Sequence, residues 1–165
     1  MSEVRMGSLV KIRIIDDELN GPEVQALLTA HLDFTTGESP PESRHALDLD
    51  SLRVPEISFW TAWDGGEILG CCALSELDPH HGEIKSMHTA QQHRGKGIAA
   101  QLLKHTICVA QKRSYNKLSL ETGSMKSFAP ARALYARHGF TLCGPFANYR
   151  EDPYSSYMTL ELAGR

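Results

Sequence analysis

The chain has 165 residues, of which 41% are hydrophobic and 22% are charged, with a formal net charge of −3 at pH 7. This composition excludes a disordered chain and a fibrous protein, and the length suits a single domain over residues 1–165. No apolar run approaches the ~18 residues of a membrane-spanning helix, and no signal peptide is readable. The four cysteines lack C-x-x-C spacing, which favours buried thiols in a reducing compartment, so we expect a cytoplasmic protein.

Periodicity and turn residues predict an α/β chain with elements in the order β–α–α–β–β–β–α–β–α–β–β. After a first strand, a helix begins in the turn Asn20-Gly21-Pro22, and a short second helix is expected around Arg44 to Leu52. The turn Asp64-Gly65-Gly66 marks a hairpin. The predicted strands are 9–15, 57–63, 67–74, 83–89, 117–121, 140–143 and 157–162, and the two later helices are 98–113 and 130–139.

The stretch from Glu83 to Ala100 combines a strand, a glycine-rich turn and the start of a helix. Strand alternation predicts that Ile84, Ser86 and His88 share one face. In the turn, glycine leaves the backbone open to close approach, and two basic side chains add positive charge. Unpaired amides at a helix N-terminus and the helix dipole favour anions, so this turn is a candidate phosphate site.

The charge distribution also points to an anionic ligand. The first 83 residues hold sixteen acidic and five basic residues, whereas residues 84–120 hold seven basic and no acidic residues. Nucleic acid is disfavoured because Tyr115 is the one aromatic residue in the basic block. Four of these basic residues follow the turn in the chain. A solvated helix face explains them as well as an anion-binding role does.

Alternative motifs fit the sequence less well. Gly95-x-Gly97-x-x-Ala100 also satisfies the dinucleotide-binding fingerprint, with Glu121 ending a later strand. That fingerprint follows its strand directly, whereas five residues separate Thr89 from Gly95 here. We therefore disfavour it. The eight histidines lack ligand spacing, so no metal site is expected.

Three motifs in order resemble the GNAT superfamily of acyl-CoA-dependent N-acyltransferases. Arg94-x-x-Gly97-x-Ala99 matches its Q/R-x-x-G-x-G/A signature. Glu83 lies eleven residues earlier, where several members carry a catalytic glutamate. The segment Ala131-x-x-Leu134-Tyr135-x-x-x-Gly139-Phe140 resembles the helix that carries a general-acid tyrosine. The resemblance covers roughly residues 57–162.

The resemblance implies a single-domain GNAT-like fold, with a mixed central sheet flanked by helices. It also implies an acetyl-CoA-dependent N-acetyltransferase that works by direct transfer, without a metal. Glu83 would be the general base and Tyr135 the general acid. The residues expected to bind coenzyme A are Met87, His88, Thr89, Arg94, Gly95, Lys96, Gly97, Ile98 and Ala99.

One position departs from the family pattern. Phe128 occupies the place where many members carry an asparagine that contacts the coenzyme. Ser124 or Ser127 could replace that contact, and the sequence does not decide between them.

The acceptor is the least readable part of the sequence. Acidic residues outnumber basic ones in the segments expected around it, 22–56 and 146–157, which favours a cationic amine. Arg44 and His45 could instead hold the carboxylate of an amino acid. We expect a small-molecule amine or amino acid, without nucleic-acid or membrane partners, and a homodimer is left open. The alternatives are a protein or peptide lysine or N-terminal acetyltransferase, or a non-catalytic acyl-CoA-binding module.

Overall fold

The alternating strands build one mixed sheet in the computed structural model, which describes residues 2–6, 10–38 and 48–162. The strands are β1 (Ser2–Met6), β2 (Val10–Asp16), β3 (Ile57–Asp64), β4 (Glu67–Asp78), β5 (His81–Thr89), β6 (Lys117–Gly123), β7 (Thr141–Cys143) and β8 (Ser155–Glu161). The helices are α1 (Pro22–Glu38), α2 (Ile98–Lys112) and α3 (Ala129–Arg137). None of these three is both long and apolar enough to cross a membrane.

The strand order is β1-β2-β3-β4-β5-β6-β8-β7. Neighbouring strands are antiparallel except β5 and β6, which are parallel. Two parallel neighbours need a crossover connection, and α2 supplies it. Among the described strands the parallel pair lies inside the sheet, and the glycine-rich turn follows β5 after the 3-10 turn Gln91–His93.

Two apolar clusters lie on opposite faces of the sheet. The first joins α2 and α3 to the strands through buried residues that include Ile84, Leu102, Leu103, Leu118, Leu120 and Tyr135. The second joins α1 to the strands through Val24, Leu27, Leu28, Phe59, Cys71 and Ala73. The helices therefore cover both faces, because the central strands present apolar side chains to both sides.

The predicted α/β fold with a mixed central sheet is confirmed. The N-terminal strand β1 was not predicted, and β5 begins two residues earlier than the predicted strand. The short helix expected around Arg44 to Leu52 begins in residues 44–47, outside the described residues, and its described part, 48–52, is not an α-helix. The described end of that segment holds a 3-10 turn, Ser51–Arg53.

The predicted sharing of one face by Ile84, Ser86 and His88 is wrong. Ile84 packs in the α2 cluster together with Met87, whereas the His88 ring contacts His31 of α1 on the other face. Ser86 has a φ of 53°, and the register between β4 and β5 shifts at this point. An extra residue at a β-bulge reverses the alternation beyond it, and the strand pattern gave no sign of one.

Candidate active site

The site is organised around the gap between β5 and β6. The two strands pair in parallel as far as Ile84 opposite Leu120. Beyond that pair, β5 continues to Thr89 and β6 to Gly123. A cavity of about 500 Å³ is lined by residues of both extensions. Backbone groups that face the gap are not used in the β5–β6 register, so they are available to a bound ligand.

The turn before α2 forms one end of this cavity. Gly97 is the N-cap of the helix with a φ of 80°, and Gly95 has the same φ. Both positions lie in the left-handed region that glycine adopts without strain. No side chain of a described residue caps the helix, so its first amides and the dipole favour an anion. The residues of this turn that line the cavity are Arg94, Gly95, Gly97, Ile98 and Ala99.

Lys96 is placed differently from the rest of the turn, because it lies outside the lining of the cavity. Its Nζ is 3.1 Å from Nδ1 of His93, and Nε2 of His93 is 2.7 Å from Oε2 of Glu67. An ammonium group can only donate, so Nδ1 accepts and Nε2 carries the proton that is donated to the glutamate. This chain of contacts ties the turn to the first residue of β4.

Tyr135 reaches the cavity from α3. Its side chain is 5% exposed, and its ring packs against Phe140 at 5.7 Å. Burial raises the pKa of the phenol, and the nearby Cys72 and Glu121 act in the same direction. Among the described residues, the Tyr135 hydroxyl has no hydrogen-bond partner. The group is therefore a protonated donor on a residue that lines the cavity.

Glu83 lies on β5 and is 5% exposed. Its Oε2 accepts hydrogen bonds from the Tyr149 hydroxyl at 2.5 Å and from Lys85 Nζ at 3.1 Å. Lys85 Nζ also donates to the Tyr149 oxygen at 3.0 Å. All three side chains line the cavity. The carboxylate therefore has one oxygen held by two donors.

A second carboxyl group, Glu121, lies just beyond the last residue of β6 that pairs with β5, and it lines the same cavity. Burial raises its pKa to about 7, and the negative charge of Glu83 contributes in the same direction. The positive charge of Lys85 lowers the pKa of Glu121, but the loss of hydration is the larger effect and favours the neutral form. The cavity therefore holds two acidic groups in different environments.

A pair of histidines closes the α1 side of the cavity. Nδ1 of His31 lies 3.1 Å from Nδ1 of His88, with the rings edge to face at 4.9 Å. Burial lowers the pKa of His31 to about 3, helped by His88, and that of His88 to about 4, helped by Arg94. Both rings are therefore neutral at neutral pH, and one Nδ1–H donates to the other Nδ1.

The residue that departs from the family pattern, Phe128, lines the cavity. Its ring packs against Phe34 of α1 at 5.2 Å, and the Arg94 guanidinium lies 5.4 Å from the Phe34 ring centre. Ser127 also lines the cavity, whereas Ser124 Oγ donates to the Pro153 carbonyl. Of the two serines considered as replacements for asparagine, Ser127 is the one placed to meet a ligand.

The structure brings together both predicted catalytic residues and eight of the nine predicted coenzyme-binding residues. Met87, His88 and Thr89 line the cavity together with the turn, and Lys96 is the exception. Further lining residues are His31, Phe34, Lys85, Glu121 and Tyr149. His31, Phe34 and Tyr149 lie in the two segments expected around the acceptor, whereas Lys85 and Glu121 were not assigned to the site, although Glu121 gave a signal as the acid that ends a short apolar strand.

Known proteins resemble this chain over most of its length. The model of the Acetyltransferase (GNAT) family matches residues 24–140. The uncharacterized N-acetyltransferase YsnE of Bacillus subtilis is 58% identical over 88% of this chain and 97% of that protein. A putative acyl-CoA N-acyltransferase from Klebsiella pneumoniae has a TM-score of 0.72 at 27% identity, covering 92% of this chain and 98% of that one. A GNAT family acetyltransferase from Elizabethkingia anophelis with acetyl-CoA bound has the same fold, with a TM-score of 0.68 at 24% identity and the same coverage.

The fold, the cavity between parting parallel strands and the adjacent helix N-terminus define an acyl-CoA-dependent transferase. The chain belongs to the GNAT family. It is an N-acetyltransferase that uses acetyl-CoA as co-substrate and an amine as acceptor. The family and the class of enzyme predicted from the three motifs are confirmed.

Glu121 makes the free energy of unfolding depend on pH. Its pKa in the folded chain is about 7 against an ordinary 4.5, so the folded state keeps a proton that the unfolded state releases. Glu121 should therefore contribute a fall in the free energy of unfolding, on the order of 3 kcal/mol, as pH rises from about 4.5 to 7, opposed by the rise that the lowered pKa values of His31 and His88 contribute over the same range. Glu121→Gln should remove this fall, as measured by chemical denaturation at about pH 5 and about pH 8. Glu151→Gln, at an exposed position of the last loop, is the control and should keep it. Parallel pH dependence in wild type and Glu121→Gln would contradict the prediction.

Proposed function

We propose that this enzyme moves the acetyl group directly from acetyl-CoA to the primary amine of a small molecule or amino acid, with Glu83 as general base and Tyr135 as general acid. The observation that carries the proposal is one cavity lined by Glu83, Tyr135 and the turn Arg94–Ala99. A base, a proton donor and an anion site along one cavity are the parts that this reaction needs.

Coenzyme A would be held by backbone rather than by side chains. The turn amides at the start of α2 would bind the pyrophosphate, and Arg94 would add positive charge. The backbone of Met87–Thr89, beyond the paired part of β5, would bond the pantetheine and polarise the thioester carbonyl. The parting of β5 from β6 supports this assignment, because it frees backbone groups on the side that faces the cavity.

Glu83 would remove the proton that prevents attack. A primary amine is largely an ammonium ion near neutral pH, so it must lose a proton before its nitrogen can attack the thioester. Both hydrogen bonds of Glu83 end on Oε2, and Oε1 has no partner among the described residues. Oε1 is therefore placed to accept the proton directly or through a water molecule.

Tyr135 would complete the transfer. When the nitrogen attacks, a carbon–nitrogen bond forms, the carbon–sulfur bond breaks, the nitrogen loses its second proton to water, and the sulfur leaves as a thiolate that takes up a proton from Tyr135. A buried phenol with a raised pKa is protonated throughout the working range, so it can donate. The amide product and the free thiol then leave without a covalent intermediate on the enzyme.

The walls of the cavity support a small cationic acceptor. Glu83 and Glu121 carry acidic groups on neighbouring strands, and Tyr149 adds an aromatic face and a hydroxyl. Acidic groups beside an aromatic face suit an ammonium ion. The alternative hypothesis of carboxylate capture by Arg44 and His45 concerns residues outside the described ones.

Gly97→Asp should abolish coenzyme A binding. A carboxylate at the helix N-terminus would face the pyrophosphate, and two like charges 4 Å apart repel by about 4 kcal/mol near a protein surface. A loss of affinity of roughly 100-fold or more is expected by calorimetry. Gly65→Asp is the matched control, because Gly65 also has a positive φ, of 59°, but lies in the β3–β4 turn away from the cavity. Unchanged affinity of a folded Gly97→Asp variant would refute the assignment.

Glu83→Gln should lower kcat by roughly 10²- to 10⁴-fold and remove the acidic limb of the pH profile, because an amide cannot take the proton. Tyr135→Phe should lower kcat with little change in the KM for acetyl-CoA, since its proton is delivered late. Thiol release with an amine substrate measures both. Glu76→Gln, outside the cavity lining, serves as the control. A variant that keeps wild-type turnover shows that its residue lacks the assigned role.

Free amines and amino acids should give higher kcat/KM than lysine-containing peptides. The reason is that the acceptor must reach Glu83, which is only 5% exposed. A panel of small amines, amino acids and peptides, assayed by thiol release at fixed acetyl-CoA, measures the preference. A peptide with kcat/KM ten times above every small amine would favour a protein substrate instead.

A further inference from the structure

Tyr149 makes the shortest contact to Glu83, yet it comes from a distant part of the chain. Its residue number differs from that of Glu83 by 66, and it lies in the loop between β7 and β8. The phenol donates to Oε2 at 2.5 Å and accepts from Lys85 Nζ at 3.0 Å. These directions are fixed, because an ionised carboxylate can only accept and an ammonium can only donate.

The three side chains form a closed set of hydrogen bonds in a nearly buried place. Lys85 and Glu83 form an ion pair at 3.1 Å, with side chains 12% and 6% exposed. A buried ion pair depends on further hydrogen bonds to offset the loss of hydration, and Tyr149 bonds to both partners. Burial raises the pKa of the Tyr149 phenol, and the neighbouring Glu83 carboxylate adds to this, so Tyr149 remains a donor.

We propose that Tyr149 is a positioning residue that, together with Lys85, holds Oε2 of Glu83 and so selects Oε1 as the oxygen that receives the acceptor's proton. This inference rests on the proposed role of Glu83 as general base. A carboxylate held by one oxygen has a fixed plane and a fixed direction for its second oxygen. Proton transfer depends on that direction, because the base must lie within hydrogen-bond reach of the proton.

The loop fixes Tyr149 through aromatic packing. Its ring lies 5.0 Å from that of Phe146 and 5.6 Å from that of Tyr157, both in non-parallel contact. Its backbone amide donates to the Phe146 carbonyl at 3.0 Å, and the Tyr157 hydroxyl donates to the Arg150 carbonyl at 2.6 Å. The β7–β8 loop therefore presents the phenol to β5 as part of a packed unit rather than as a lone side chain.

The pH dependence depends on the charges that face Glu83. These are Lys85 and His81 on its own strand, Glu121 on β6 and the phenol of Tyr149. Tyr149 and Lys85 both favour the ionised carboxylate, so removing either one should move the acidic limb of the kcat/KM profile to higher pH. Because Glu121 also titrates near neutral pH, the profiles are best recorded in the Glu121→Gln background.

The test uses Tyr149→Phe and Lys85→Met, with Tyr115→Phe as the matched control. Tyr115 is also a buried tyrosine that donates to a glutamate, Glu76 at 2.7 Å, but it lies outside the cavity lining. We expect Tyr149→Phe to lower kcat/KM for the amine by about 10- to 100-fold and to leave the KM for acetyl-CoA unchanged. The acidic limb of its kcat/KM profile should move to higher pH. Lys85→Met should move the limb in the same direction, and Tyr115→Phe should do neither.

A double-mutant cycle separates this inference from the proposed function. If Tyr149 acts through Glu83, then Tyr149→Phe should have little further effect once Glu83 is Gln. If Glu83→Gln lowers turnover but Tyr149→Phe costs the same factor in both backgrounds, the inference is wrong and the role of Glu83 stands. If Glu83→Gln leaves turnover unchanged, the proposed function itself is wrong. An unshifted acidic limb in both Tyr149→Phe and Lys85→Met also overturns the inference.

Discussion

The end of pairing between β5 and β6 at Ile84 and Leu120 is the constraint on which the rest of the site depends. Buried backbone groups need hydrogen-bond partners. Two central strands that part inside a sheet therefore leave backbone N–H and C=O groups that a ligand can bond. The bulge at Ser86, with its positive φ, falls on the same stretch of β5. Because of the bulge, His88 points toward α1 on one face of the sheet, whereas Ile84 packs against α2 on the other face. Strand β5 therefore contributes lining residues from both of its faces.

The titratable groups around this gap are all buried or half-buried, but they differ in charge state because their hydrogen-bond and charge partners differ. Glu83 has a cation and a phenol on one oxygen, whereas Glu121 is neutral over part of the working range because burial raises its pKa to about 7. The imidazoles of His31 and His88 stay neutral because a charge on either would lie in the same buried space. The cavity thus holds one carboxylate paired with a cation and two neutral imidazoles.

The sequence predicted the features that depend on local rules. A left-handed turn needs glycine, as Gly95 and Gly97 show, and a strand followed by a helix N-terminus is readable from periodicity. Contacts between residues far apart in the chain have no local signal. Lys85 and Tyr149 are 64 positions apart, and the two histidines of the cavity are 57 apart. The bulge was not predicted for a related reason. In the sequence, a serine that adopts a positive φ cannot be distinguished from a serine in a regular strand.

The two ends of the cavity differ in charge, and in the proposed function this difference would orient the two substrates. Arg94 and the start of α2 make one end positive, while Glu83 and Glu121 make the other end acidic. The pyrophosphate of the co-substrate would be drawn to the first end and an ammonium acceptor to the second, so the reacting groups would meet at the gap between them. Lys85 would repel an ammonium if its charge were free, but its contacts with Glu83 and the Tyr149 oxygen offset that charge locally. The hydrogen bonds that we propose direct Glu83 would therefore also keep its surroundings open to a cation.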